Sequence, residues 1–139
     1  MNDIFRTELE DESKHRDIIC PAIYKHFKHD EGNFINNYLY ATMFISKPIS
    51  ENDLSRTPSK NIITAKLTEN GNYIALFEVE GKYYHNSQGC NKELVIYKSL
   101  HDCSTILPYA RVLDIFSSEV DHKKYPNAKQ KYRFEIVRY

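Results

Sequence analysis

Apolar and polar positions alternate with a period of two through much of the second half of this chain, the spacing of a strand with one buried face. Tyr73 to Glu80 sets Ile74, Leu76 and Val79 in alternation with Phe77 opposing, and Tyr132 to Arg138 sets Tyr132, Phe134 and Ile136 against Arg133, Glu135 and Val137. Glu93 to Leu100 is apolar enough to predict a central strand. Phe34 to Ile45 predicts another, stopped by Pro48, and Ile62 to Leu67 a further one. Asn70-Gly71 between Leu67 and Tyr73 is a hairpin signal. Gly81 breaks the next strand, so Lys82 to His85 reads as a short strand or bulge. Ile106 to Arg111 is crossed by Pro108, which predicts an edge position.

Helix is scarce in the pattern. Val112, Leu113, Ile115 and Phe116 form the face of one helical turn over 112–118. Ile4, Phe5 and Leu9 make only a thin apolar face in an acidic segment, so residues 1–17 predict a short helix or flexible arm. Ile18 to Phe27 reads as extended, because Pro21 disfavours helix before it. Turns are expected at 30–33 and 86–91, a charged loop over 121–131, and an inserted polar loop at about 50–60. The sum is a mainly β fold of about six strands over 18–139. It would be a small twisted antiparallel sheet or a partly closed barrel of the Src-homology type, with one short helix behind an acidic N-terminal arm.

Composition narrows the partners. Basic and acidic residues balance at 19 each, so no net field draws the chain to nucleic acid or an anionic membrane. Three cysteines without C-x-x-C spacing argue against a disulfide framework and for reduced thiols, and no apolar run approaches the length of a membrane span. A soluble protein of the bacterial cytoplasm is expected. Eleven Tyr and seven Phe suit half-buried sheets and also surfaces that recognise a ligand, since tyrosine combines area with a hydroxyl.

Catalytic chemistry is thinly supported. His26-x-x-His29 with Cys20 falls short of a zinc set with defined spacing, and no phosphate-cradling glycine motif occurs among four glycines. His85 and Cys90 flank a turn as a candidate thiolate pair, but no orienting acid or oxyanion hole is evident. Glu78 and Glu93 read more simply as solvent-facing partners of lysines. No metal and no cofactor are expected. Arg111 stands out as a cation at a strand-to-turn junction beside Tyr109, suited to bidentate capture of a phosphate or carboxylate. Tyr24, His26, Tyr97 and Lys98 would join it if their strands converge. The competing reading pairs Arg111 structurally with Asp114 or Glu93.

Tyr24-Lys-His-Phe-Lys28, Glu93-Leu-Val-Ile-Tyr-Lys-Ser-Leu100, Ala110-Arg-Val-Leu-Asp-Ile-Phe116 and Arg133-Phe134 together resemble the bacterial and phage domain-of-unknown-function family 1653. The resemblance covers Tyr24–Lys28 and about Tyr73–Phe134, with Val112 where that family's pattern carries proline. It implies a small β domain in a bacterial or phage setting, and the family's activity is not established.

These features favour a non-enzymatic binding module, a phage-encoded accessory or counter-defence protein. It would sequester a small phosphate-bearing, nucleotide-like ligand using Arg111, Tyr109, Tyr97, Lys98, Tyr24 and His26. The alternative is an inhibitor that docks on a host defence protein through the acidic arm, the loop and the tyrosine-rich surface. Nucleic-acid binding through the Lys123–Arg138 stripe is a weaker alternative, disfavoured by the neutral charge. Free sheet edges predict a homo-oligomer, a dimer or higher.

Overall fold

The computed structural model describes residues 17–28, 38–101 and 106–138. The acidic arm (all but Asp17), the turn at 30–33, the start of the strand expected from Phe34, His29 and Cys103 lie outside these residues.

Among the described residues, eight strands and two short helices follow in order. They are β1 (Ala22–His26), β2 (Leu39–Ile49), α1 (Glu51–Arg56), β3 (Lys60–Leu67), β4 (Tyr73–Val79), β5 (Lys82–Asn86), β6 (Leu94–Ser99), β7 (Tyr109–Val112), α2 (Leu113–Phe116) and β8 (Phe134–Arg138). The sheet order is β5-β4-β3-β7-β6-β2-β1-β8, and β5 returns to pair with β2. That return closes a six-stranded barrel of β2 to β7, so the fold is mainly β as expected, with the barrel closed rather than partly open. Two contacts in the ring, β2–β5 and β3–β7, are parallel, and the other four are antiparallel. No helix among the described residues is long and apolar enough to cross a membrane.

Strand β2 is where the sheet forks. One edge pairs with β6 from Tyr40 to Ser46. The opposite edge is shared: its first half pairs with β1 (Ala22↔Thr42 to Lys25↔Leu39) and its last four residues with β5 (Ser46↔Tyr83 to Ile49↔Asn86). A register shift between Thr42 and Phe44 marks the divide, as a bulge re-aims a strand. The buried Thr42 hydroxyl pins the branch by reaching the carbonyls of Ile19 (2.8 Å) and Ala22 (3.2 Å). Strands β1 and β8 thus form a flap laid against the outside of the barrel.

The chain consequently has two cores, and β6 belongs to both. Leu94 and Ile96 point into the barrel with Ala65, Leu67, Ile74, Leu76 and Ala110. Val95 and Tyr97 point outward to meet Ala22 and Tyr24 of β1, Leu113 and Phe116 of α2, and Phe134 of β8. All four of these β6 side chains are at most 2% exposed, which is why the segment is dense in apolar residues instead of alternating.

Three sequence expectations are corrected. Pro48 does not stop β2, which runs on to Ile49; β6 pairing has ended at Ser46, so the edge served by the missing N–H needs no donor there. Strand β7 is not an edge: it lies between β3 and β6, and Pro108 sits one residue ahead of it, lending only its carbonyl to Lys66 N at 2.9 Å. The expected loop at 50–60 holds helix α1. Its Ser50 hydroxyl accepts from Asp53 N at 3.1 Å, with Glu51 and Asp53 in the first turn and Arg56 in the last. The helical turn at α2, the Asn70-Gly71 hairpin with Gly71 at φ +77°, and the β4–β5 turn with Gly81 at φ +82° fall where expected.

Truncating either side of the double core is expected to destabilise strongly. Ile96→Ala should cost about 2–5 kcal/mol and Phe134→Ala about 3–5 kcal/mol in urea unfolding. A loss below about 1 kcal/mol for either would mean that its core does not support the fold.

Candidate anion-binding site

The outer face of the barrel at β6 and β7 carries the cluster. Register pairs Tyr97 with Tyr109 and Val95 with Arg111, so Tyr97, Tyr109 and Arg111 share the face that the β1–β8 flap covers. Tyr24 and His26 of β1 point the same way by alternation, and His26 pairs with Phe134. The floor is a dry stack: Phe134 lies flat on Phe116 at 4.1 Å, and Tyr97 meets both edge-on at 5.8 and 5.3 Å. Tyr40 closes on Tyr97 at 5.4 Å and Phe134 at 5.6 Å.

Cations rim this floor. Arg111 Nε donates to Tyr97 Oη at 3.1 Å, and the guanidinium carbon stands 5.8 Å from the Phe134 ring centre. That bond engages Nε and leaves the Nη pair, the fork that grips a phosphate or carboxylate, on the far side of the guanidinium. Arg133 is the second cation. Its backbone is tied at both ends, N to Ser118 O at 3.0 Å and O to Phe27 N at 2.9 Å, while its buried Nε has no hydrogen-bond partner. Burial lowers the Arg133 pKa, and Arg111 lowers it further, so the two guanidiniums repel one another. Tyr125, Tyr97 and the carboxylate of Glu69 act on Arg133 in the opposite sense.

His26 completes the rim, 5.0 Å from Phe134 and held neutral. Burial first, then the charges of Arg133, Arg111, Lys28 and His101, press its pKa down from 6.5 to about 3. Its Nδ1 accepts from Lys28 N at 3.2 Å, which puts the proton on Nε2 as a neutral donor. Burial pushes the phenols of Tyr40 and Tyr97 up, with Arg111 opposing in both, so each stays a neutral hydroxyl. The arrangement sets N–H and O–H donors and positive charge beside the half-buried rings of Tyr40, Tyr109 and His26. That is the chemistry of holding an anion attached to a ring.

The structure brings together Arg111, Tyr109, Tyr97 and His26, and separates two others expected with them. Tyr24 is a core residue, 1% exposed, edge-on to Phe116 at 5.6 Å, its hydroxyl accepting from Ile19 N at 3.0 Å. Lys98 sits opposite Ala41 on the other face of β6, since neighbouring residues of a strand point to opposite sides. Arg111 bonds Tyr97 rather than Asp114 or Glu93. Arg133, Phe134, Tyr40 and His101 were not among the expected site residues. The Arg133-Phe134 pair was visible as a motif, but only the fold of β8 over β6 makes it a neighbour of Arg111.

The other candidate chemistry is structural. His85 Nε2 donates to the carbonyl of Cys90 at 3.0 Å, not to its thiol, and Nδ1 then accepts from Ser46 Oγ at 2.7 Å. The Cys90 thiol turns to Lys92 O at 3.8 Å. Ser46 and His85 are both fully buried, so this bond ties β2 to β5 where the barrel closes and is sealed from any substrate.

Comparison of the chain with protein-family models, with curated proteins and with solved structures finds no match to any of the three. The resemblance to family 1653 therefore rests on its motifs.

The depressed His26 pKa has a defined consequence. The unfolded chain takes up a proton near 6.5, whereas folded His26 stays neutral to about 3, so stability is lost as pH falls through that window. Buried His85, also lowered, acts in the same direction. Thermal melts from neutral pH downward should show this fall, and His26→Gln should make it shallower; an unchanged slope in that variant would refute the assignment.

Proposed function

We propose that this chain is a non-enzymatic binding module that sequesters a small phosphate-bearing, nucleotide-like ligand at the Arg111–Arg133 face. The observation that carries the reading is the Arg111 guanidinium, held by Tyr97 beside the Phe134 ring, with Arg133 in electrostatic reach and its buried Nε unpartnered. Like charges so placed destabilise the empty protein, and a phosphate between them would turn that repulsion into attraction in a partly desolvated setting. Arg111 grips the phosphate through its Nη fork, Nε2 of His26 donates to it, and the half-buried rings of Tyr109 and Tyr40 at the border of the stack receive a ring. Binding without turnover is favoured because the Ser–His and Cys–His candidates are tied up in the barrel's own hydrogen bonds.

A phage-encoded accessory or counter-defence role is the setting that the motif resemblance suggests for such a sequestering protein. A homo-oligomer is part of the same proposal: among the described residues β8 pairs with β1 alone, beside the exposed Ile136 and Val137.

Native mass spectrometry of protein purified from cells should reveal a stoichiometric phosphate-containing adduct on a defined oligomer. Calorimetric titration with AMP should then saturate, and Arg111→Met should weaken it about 10–100-fold, the scale of a lost charge-assisted bond. Arg133→Met should act likewise, which guards against loss of the Tyr97 bond unfolding the first variant. No saturable binding of AMP to the folded wild-type protein would defeat the proposal.

A further inference from the structure

The aromatic floor does not end at His26. The ring of His26 meets Phe134 on one side and Phe27 on the other, the latter at 4.3 Å, and Phe27 in turn meets Tyr125 at 4.9 Å. Tyr125 lies in the 121–131 segment, far from β1 in sequence, and it is held firmly. Tyr125 N and Lys124 N both donate to Asp121 O, at 2.9 and 3.1 Å, while Asp121 Oδ1 accepts from Lys123 N and Lys124 N. The one carboxylate of this turn is therefore engaged by the turn itself. Above the Tyr125 ring stand two ammonium groups, Lys124 at 5.6 Å and Lys28 at 5.9 Å from its centre. Phe27 and Tyr125, with Pro126 and Ala128, line an open pocket of about 330 Å³.

This second station, like the first, sets aromatic rings beside cations, and the residues that line its pocket include no carboxylate. Arg133 lies between the two. Its carbonyl is bonded to Phe27 N, and its guanidinium feels Arg111 and Tyr125, and also Tyr97 and Glu69. The row runs inward to Tyr97, which is 2% exposed, so its accessible rings are those nearer the surface. Two ring-binding stations with a cation between them match two bases joined by a phosphate, with a terminal phosphate on Arg111.

Resting on the mononucleotide-scale reading above, we propose that the ligand is a dinucleotide whose second base is held by Phe27 and Tyr125 under Lys28 and Lys124. Arg133 holds the linking phosphate.

The test titrates the full chain with AMP, with 5′-phosphorylated diadenylate and with a long oligoadenylate. The dinucleotide is expected to bind about tenfold or more tighter than AMP. Tyr125→Ala and, independently, Lys124→Glu should bring it back to the AMP value while leaving AMP binding unchanged. Equal affinities for AMP and the dinucleotide, or an undiminished dinucleotide preference in Tyr125→Ala, would overturn the second station and leave the first intact. Absence of binding by any of the three would remove the first reading and this one with it. Affinity that keeps rising to the long oligomer, with a steep loss in salt, would replace the dinucleotide with a single-stranded nucleic acid.

Discussion

Burial of β6 on both faces is the constraint from which the architecture follows. An antiparallel strand ordinarily keeps one face wet, and a small barrel needs apolar residues only on its inside. Here Leu94 and Ile96 fill the barrel while Val95 and Tyr97 would leave apolar area in water on its outside. A second layer has to cover them, and the forked β2 supplies it. Because β2 is 11 residues long, it reaches β5 to close the ring with one end and carries β1, and through it β8, with the other. The Phe116–Phe134 stack seals the layer onto Tyr97, and the Ser46–His85 bond ties the strands at the closure.

The candidate site is the margin of that second core. Where the flap ends, the aromatic packing of the interior continues outward as a partly exposed row, and the residues at its border are cations instead of the usual polar mixture. Arg111 is braced by the Tyr97 hydroxyl, which restricts the freedom of its guanidinium. Burial and surrounding charge keep His26 neutral at physiological pH, so it adds a donor without adding repulsion to the guanidinium pair. The stack that holds the flap down is also the one beside which Arg111 stands.

Element type and much of element position were legible in the sequence, because local signals act over a few residues. Alternation marked β4 and β8, apolar density marked β6, Asn70-Gly71 marked the first hairpin, and the Val112–Phe116 spacing marked α2. Proline was over-read. Its effect depends on which edge of a strand needs a donor, and that is decided by partners distant in the chain, as at Pro48 and Pro108. The Ser50 cap was a local signal for α1 that the polar composition of 50–60 obscured.

For the site, the residue types determined the chemistry on offer: a cation at a strand end, many tyrosines, a histidine in an aromatic setting. Strand alternation alone already put Tyr97 and Lys98 on opposite faces, while only the packing of β1 and α2 made Tyr24 core. Tertiary structure alone decided that Arg133 comes within electrostatic reach of Arg111, that Arg111 stands over Phe134, and that His26 links Phe134 to Phe27 and, through it, Tyr125. The physical reason is that a strand's own sequence sets which side chains share a face, whereas the neighbour placed over that face is set by long-range pairing, here the β2 fork that brings β8 back across β6.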